Sequence, residues 1–273
     1  MVLLDKKDYY KLIEPLKLVT INNLFARAVV EQKAPGEIFV DNIDNPETFY
    51  VLHSYGMSLL FGKYDNYGFN QQFKEYALNN NQIRNKYEWM QVFPDEWNIT
   101  LSKLLGNSLV KQADNMVETG VVELNTRVNF KFSQEKFVTK MKKEDKNIEI
   151  IKIDENIFLN MPGTVVPKYY WFNAKDFIKN GVGFSLLYRK QLAATAFSSW
   201  IFDNKLEIGI ETVEEFRGKG LAEMVCEAII KYCISNKYEP IWSCRLENIG
   251  SYKLAKKLGF EPIIKKPYYR LSK

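Results

Sequence analysis

The chain has 273 residues, of which 46% are hydrophobic and 26% are charged, so its composition excludes wholesale disorder and supports a folded core. No apolar run approaches the ~20 residues that a membrane-spanning helix needs, and charged residues cluster at positions 5–8, where a signal peptide would be apolar. We therefore expect a cytoplasmic protein that does not enter the membrane. The net charge of +5 fits anionic ligands but does not by itself indicate nucleic acid.

The residues of common metal and hydrolase sites are scarce. His53 is the only histidine, which disfavours Ser-His-Asp hydrolases and most His-ligated metal enzymes. It lies in an apolar stretch, where we expect a structural role. Cys226, Cys233 and Cys244 show no C-x-x-C spacing, so we expect neither a disulfide framework nor a metal site.

The first 126 residues carry the patterns of both helices and strands. Helices are predicted over residues 10–30, 70–78 and 97–109. Strands are predicted over residues 36–42 and 48–53, and the segment 55–61 that follows them is left unassigned. Residues 126–132 alternate between apolar and polar side chains, as in the first strand of a new sheet. We therefore predict an N-terminal α+β domain over residues 1–126 and a second domain over residues 127–273. The charged stretch 140–146 is expected to form a loop or a helix end.

From residue 181 onward, turn residues divide the chain into short elements. Three strands over residues 183–188, 191–201 and 206–213 predict an antiparallel meander. A helix over residues 219–235 follows, with Leu221, Met224, Val225, Ala228, Ile229 and Tyr232 as its expected apolar face. A strand over 240–244, a helix over 248–258 that ends at Gly259, and strands over 260–264 and 268–271 complete the chain. The sequence thus predicts an α/β fold with a mixed, mostly antiparallel sheet flanked by helices.

The loop that enters the helix at residue 219 is the most informative segment. A strand leads into Arg217-Gly218-Lys219-Gly220, and the first-turn amides of the following helix lack intrahelical acceptors. The helix dipole favours an anion there, and the two glycines allow close backbone approach. This pattern is typical of a cradle for linked phosphates, although a glycine-rich turn without a ligand has the same pattern. Neither a Walker loop nor a complete G-x-G-x-x-G fingerprint is present.

Two motifs in this region resemble those of the GNAT acyl-CoA transferases. Arg217-x-x-Gly220-x-Ala222 fits the signature Q/R-x-x-G-x-G/A, and the run from Asn248 to Leu258-Gly259-Phe260 is similar to the second signature, N-x-x-[AS]…L-G-F. The resemblance covers residues 171–270. Residues 181–184 and 210–212 also resemble a two-lobed branch of the superfamily, similar to a zwittermicin-resistance acetyltransferase.

The resemblance implies a C-terminal GNAT fold that binds acetyl-CoA and transfers its acetyl group to a primary amine of a small-molecule acceptor. The N-terminal lobe would be a degenerate GNAT-like half that lacks the signature and does not bind CoA. Strands 206–213 and 240–244 would splay apart to admit the thioester. The implied donor-binding residues are Thr212, Val213, Arg217, Gly218, Lys219, Gly220, Leu221, Ala222, Asn248 and Ser251.

An amine acceptor needs a base, because a lysine-like amine with a pKa of ~10.4 is ~3.4 units from neutrality at pH 7, which costs ~4.6 kcal/mol. Glu207 and Glu211 lie on one face of the strand 206–213 with Gly209 between them, an arrangement that suits an open cleft. We take Glu207 as the first candidate base and Glu211 as the second, and a solvated or paired carboxylate is the alternative for both.

The sequence offers several alternatives for the general acid that would protonate the CoA thiolate. Many GNAT enzymes carry a tyrosine seven residues after the equivalent of Asn248, whereas this chain has Ala255. Tyr252 is the third catalytic candidate; Tyr268, Cys244 or no acid remain alternatives. The competing interpretation of the whole chain is a non-catalytic acyl-CoA-binding sensor, and a DNA-binding domain rests on the net charge alone. Either a monomer or a homodimer is expected.

Overall fold

The structure is a computed structural model that describes residues 1–111, 120–138 and 145–273. The chain divides into two compact units. The first comprises residues 1–127, 245–247 and 265–273, and the second comprises residues 128–244 and 248–264. Most of the predicted charged stretch 140–146 lies outside the described residues. That residues 1–126 and 127–273 form separate domains stays a prediction.

The first unit contains a mixed sheet with helices. Its elements are β1 (Val2–Leu3), α1 (Ile13–Lys17), α2 (Leu24–Val30), β2 (Gly36–Val40), β3 (Thr48–His53), β4 (Met57–Gly62), α3 (Tyr67–Ala77), β5 (Glu88–Phe93), α4 (Glu96–Leu105), β6 (Leu109–Lys111) and the first part of β7 (Val122–Phe132). Strands β1 to β4 pair antiparallel in chain order, and β5 runs parallel to β4.

The second unit repeats this order of elements. It contains β8 (Ile148–Lys152), α5 (Glu155–Asn160), α6 (Ala174–Asn180), β9 (Gly183–Tyr188), β10 (Gln191–Phe202), β11 (Lys205–Thr212), α7 (Leu221–Ser235), β12 (Glu239–Arg245), α8 (Ile249–Lys257) and the first part of β13 (Phe260–Leu271). Strands β8 to β11 form an antiparallel sheet, and β12 runs parallel to β11. Each unit thus follows the sequence strand, two helices, three-strand meander, helix, strand and helix.

The gap that positions the site opens between β11 and β12. Their register comprises three pairs, Lys205↔Glu239, Leu206↔Pro240 and Glu207↔Ile241, and β11 continues to Thr212 beyond the last of them. The predicted splay between these two strands therefore begins after Glu207.

Apolar side chains hold each unit together. In the first unit, Tyr50, Phe73, Trp97 and Tyr269 belong to one buried cluster. In the second, α7 packs on β9, β10 and β11 and buries Leu221, Val225, Cys226, Ile229, Ile230 and Cys233. Burying one such aliphatic side chain stabilises the fold by about 1.5–3 kcal/mol. Burial also raises the pKa of the Cys233 thiol to about 12. His53 is buried in β3, where its Nδ1 accepts the Tyr55 amide at 3.0 Å.

The mixed sheet with helices confirms the predicted fold class, and several individual elements differ from prediction. The predicted helix over 10–30 is a 3₁₀ helix (Lys6–Leu12) followed by α1 and α2, and the strands predicted at 260–264 and 268–271 are one strand, β13. Strands β5 and β8 were not predicted. Among the described residues, no helix combines the length and apolar character that crossing a membrane requires.

Candidate donor-binding and catalytic site

The loop between β11 and α7 contains two glycines with empty space beside their backbone. Gly218 and Gly220 have φ angles of +77° and +75°, and a Cβ built on either would meet no atom within 4 Å. Gly220 is the N-cap of α7 and has no side chain with which to cap it. The first-turn amides of α7 are therefore left for solvent or a ligand. By contrast, α8 is capped by Asn248, whose Oδ1 accepts the Ser251 amide at 3.1 Å.

These glycines line a cleft of about 590 Å³ between the ends of α7 and α8. Every predicted donor-binding residue except Val213 and Lys219 lines it. The amide of Val213 instead donates to the Ala193 carbonyl at 2.9 Å, which holds it against β10. The ammonium of Lys219 lies 5.0 Å from the centre of the Phe216 ring, so its side chain packs back on an aromatic neighbour.

The wall formed by α8 contains residues that sequence reasoning missed. Leu254 and Lys257 line the cleft together with Asn248 and Ser251. Their spacing of three positions makes each of these residues a neighbour of the next along the helix, and this pattern could have indicated Leu254 and Lys257 from the sequence. The hydroxyl of Ser251 accepts the indole N–H of Trp242 at 3.2 Å, so β12 fixes its orientation.

Glu207 lies where the gap between β11 and β12 begins. It is 5% exposed, and the Ser243 hydroxyl donates to its Oε1 at 2.7 Å. The expected open face around Gly209 is wrong, because a Cβ there would lie 2.5 Å from Cζ of Phe197. The Phe197 ring fills this space. Glu207 does not itself line the cleft. A buried carboxylate beside a strand gap can take a proton through a water molecule, so Glu207 stays the candidate base.

Glu211 has a different environment. Its Oε2 accepts the backbone amides of Thr164 and Val165, each at 2.9 Å. Its Oε1 lies 3.8 Å from Nη2 of Arg217. A Cβ on Gly163, where φ is +121°, would lie 2.5 Å from Cγ of Glu211. The carboxylate therefore anchors the loop between α5 and α6, and these bonds disfavour it as a base.

Tyr252 lies outside the lining of the cleft. Its ring packs edge-on against Phe130, with ring centroids 5.5 Å apart and an interplanar angle of 60°. Ala255, which stands where many GNAT enzymes have a tyrosine, is fully buried. Within residues 1–111, 120–138 and 145–273, no group of three His, Cys, Asp or Glu side chains is arranged to hold a metal ion.

The comparison with protein families decides the identity of the fold. A model of the GNAT acetyltransferase family matches residues 15–269, which span both units. The chain belongs to this family. It is an acyl-CoA-dependent acetyltransferase, and its acceptor is not identified by the match.

Individual relatives agree with the family assignment. YdfB of Bacillus subtilis (strain 168), an uncharacterized N-acetyltransferase, is 25% identical over 247 residues, which cover 90% of this chain and 89% of the relative. A GCN5-related N-acetyltransferase-like protein from Streptococcus suis 89/1591 superimposes with a TM-score of 0.72 at 18% identity, covering 97% of this chain and 100% of that one. A tandem GNAT protein from the clavulanic acid biosynthesis pathway gives a TM-score of 0.61 at 9% identity over 98% and 97% of the two chains. The predicted two-lobed GNAT architecture is confirmed.

Proposed function

We propose that this GNAT protein transfers an acetyl group from acetyl-CoA to a primary amine of a small-molecule acceptor. The observation that carries the proposal is the glycine cradle at the N-terminus of α7, which opens into a cleft beside the gap between β11 and β12. The cytoplasmic location and the monomeric or homodimeric state stay predictions.

The second unit fits the donor in three ways. Free amides at the start of α7 suit the diphosphate, and the open space at Gly218 and Gly220 lets the phosphates approach the backbone. Arg217 adds a positive charge on the wall of the cleft. The edge of β11 beyond Glu207 faces the gap, where it can pair with the amides of the pantetheine arm as an added strand.

The described residues of the first unit lack these features, which supports one donor site per chain. Strands β4 and β5 pair over five positions, from Met57↔Trp89 to Phe61↔Phe93, so no gap opens between them. Helix α3 is capped by Asn66, whose Oδ1 accepts the Phe69 amide at 3.1 Å. A titration with acetyl-CoA should therefore give a stoichiometry of one.

In the proposed reaction, Glu207 takes a proton from the ammonium of the acceptor through water. The neutral amine attacks the thioester carbonyl, a C–N bond forms and the C–S bond breaks, and CoA leaves as the thiolate. The nitrogen of the new amide then loses its second proton to water. Tyr252 packs on Phe130 and Ala255 has no acidic group. We therefore propose that the thiolate leaves without a protein acid, and that the proton held by Glu207 returns to solvent.

The proposal is tested by a panel of primary amines, with release of the CoA thiol as the signal. With an active amine, Glu207→Gln should lower turnover by about 10²–10⁴-fold because the amide cannot accept the proton. Its affinity for acetyl-CoA in calorimetry should stay unchanged. Glu149→Gln, which changes an exposed strand carboxylate in the same unit, is the matched control and should have full activity.

Two results would count against this function. Equal turnover in Glu207→Gln and the unsubstituted protein would remove Glu207 as the base. Acetyl-CoA binding without thiol release from any amine would contradict transfer to an amine.

A further inference from the structure

Helix α8 and its N-cap Asn248 form one wall of the donor cleft. Asn248, Ser251, Leu254 and Lys257 all line the cleft, and they are separated by three residues each. At 1.5 Å per residue, the nine steps from Asn248 to Lys257 span about 13 Å along the helix axis. Asn248 lies at the end that follows β12, and Lys257 lies in the last turn. Lys257 is therefore at the far end of this wall from the strand gap.

The side chain of Lys257 crosses from α8 to the first turn of α7. Its Nζ lies 2.5 Å from Oε2 of Glu223, the residue that directly follows the cradle. The Glu223 side chain is 10% exposed, whereas that of Lys257 is 53% exposed. The dipole of α7 disfavours a cation at this end, and Glu223 offsets that cost. The pair thus holds an ammonium group at the solvent side of an anion cradle.

We propose that Lys257 binds the 3′-phosphate of CoA and makes the site prefer CoA to dephospho-CoA. The inference rests on the proposed donor site. CoA runs from its thiol through pantetheine and the diphosphate to an adenosine that carries the 3′-phosphate. With the thioester at the strand gap and the diphosphate at the cradle, the remaining phosphate lies beyond the cradle, on the side where Lys257 stands. An ammonium has three donors, so Lys257 can contact this phosphate and keep its bond to Glu223.

The test compares the affinities of CoA and dephospho-CoA by calorimetry. The unsubstituted protein should prefer CoA. Lys257→Met, which keeps most of the side-chain length without the charge, should bind CoA about tenfold more weakly and dephospho-CoA equally well, since a charge-assisted bond to one phosphate is lost. The preference of the unsubstituted protein should also shrink as salt is raised, because the contact is exposed and electrostatic.

Two further variants serve as controls. Lys256→Met removes the neighbouring exposed ammonium, which does not line the cleft, and should leave both affinities unchanged. Lys257→Arg keeps the charge and should retain the preference for CoA. Unchanged affinity of Lys257→Met for dephospho-CoA shows that this variant is folded.

The possible failures are distinguishable. Equal weakening of both ligands by Lys257→Met would place the lysine on the diphosphate and overturn the inference. Unchanged affinities would overturn it too, while the donor site would stand. If neither ligand binds the unsubstituted protein, the proposed donor site is wrong and this inference falls with it.

Discussion

Gly220 combines an unusual backbone conformation with empty surroundings. Its φ of +75° is unfavourable for other residues, and no atom lies within 4 Å of the position that a Cβ would take. Gly220→Ala should destabilise the protein by about 1 kcal/mol through backbone strain. It should also weaken acetyl-CoA binding at least tenfold in calorimetry, because the methyl group projects into the cleft that the diphosphate needs.

Gly106→Ala is the matched control for this substitution. Gly106 also has a positive φ, +52°, and open space around it, but it lies in the first unit. Because its ψ of −125° lies outside the left-handed region that Gly220 occupies, an alanine at Gly106 should be strained more than one at Gly220. Its donor affinity should nevertheless stay normal. Normal acetyl-CoA affinity in Gly220→Ala would refute the cradle.

Single residues were predictable where their role follows from neighbours in sequence. Gly220 and Asn248 sit at helix starts, and the adjoining residues reveal this. The pairing of Lys257 with Glu223 joins residues 34 positions apart, and no local pattern indicates it. The same holds for Glu211, whose partners Thr164 and Val165 lie in a loop 47 and 46 positions away.

At the scale of elements, the loop between α5 and α6 depends on β11 through one carboxylate. Glu211→Ala removes the acceptor of two backbone amides and should lower the free energy of unfolding by about 1–3 kcal/mol. Glu211→Gln should recover most of this loss, since its amide oxygen can still accept. Denaturant unfolding measures the loss, and hydrogen exchange at Thr164 and Val165 should accelerate in the alanine variant alone. Unaltered exchange at both amides would disprove the anchor.

Strand β5 carries a buried carboxylate, Glu88, that should make the free energy of unfolding depend on pH. Burial raises the pKa of Glu88, although the hydroxyls of Tyr50 and Tyr76 donate to it. The folded chain therefore holds this proton more tightly than the unfolded chain. As pH rises from the usual carboxyl range through the raised pKa, the unfolded chain ionises first and the free energy of unfolding falls.

Glu88→Gln cannot ionise and should lose this component of the pH dependence. The free energy of unfolding is measured for both proteins across that pH range, and one is subtracted from the other. The contributions of the other titrating groups are common to both proteins and cancel in this difference. The difference should move in favour of the glutamine variant as pH rises. A difference that stays constant with pH would show that Glu88 does not titrate in this way.

Two elements differ from their sequence-based predictions: the buried face of α7 and the continuous strand β13. Helix α7 is apolar around much of its circumference, so its periodicity allowed a face with Met224, Ala228 and Tyr232. The buried face includes Cys226, Ile230 and Cys233 instead. Residues 260–264 and 268–271 were predicted as two strands, yet they form the single strand β13, whose two ends belong to different units.

On the scale of the whole molecule, residues 265–273 belong to the first unit although they are distant from it in sequence. Tyr269, Arg270 and Leu271 pair antiparallel with Met90, Trp89 and Glu88 of β5. The buried guanidinium of Arg84 donates to the Ser272 carbonyl at 2.8 Å. No pattern in residues 1–127 indicates that their sheet lacks a strand, which explains why the pairing of β5 with residues 269–271 was not predicted.

A chain that stops at Ile264 should therefore have an unstable first unit. Hydrogen exchange at Met90 and its neighbours in β5 should accelerate strongly, because their antiparallel partners and the acceptor of Arg84 are gone. A chain that lacks Lys273 alone retains both and is the control. Exchange in β5 that matches this control would show that the first unit is complete without residues 265–273.

This pairing has a consequence for biosynthesis. A ribosome makes the N-terminal residues first, and β4 is available early as one partner of β5. The other partner, β13, is available only after residue 271 has emerged from the exit tunnel. Until then the nascent first unit presents an unpaired sheet edge, which is a site for mispairing or for chaperone capture. We therefore expect the first unit to complete its folding only after residues 265–273 have been made, and not before the second unit is synthesised.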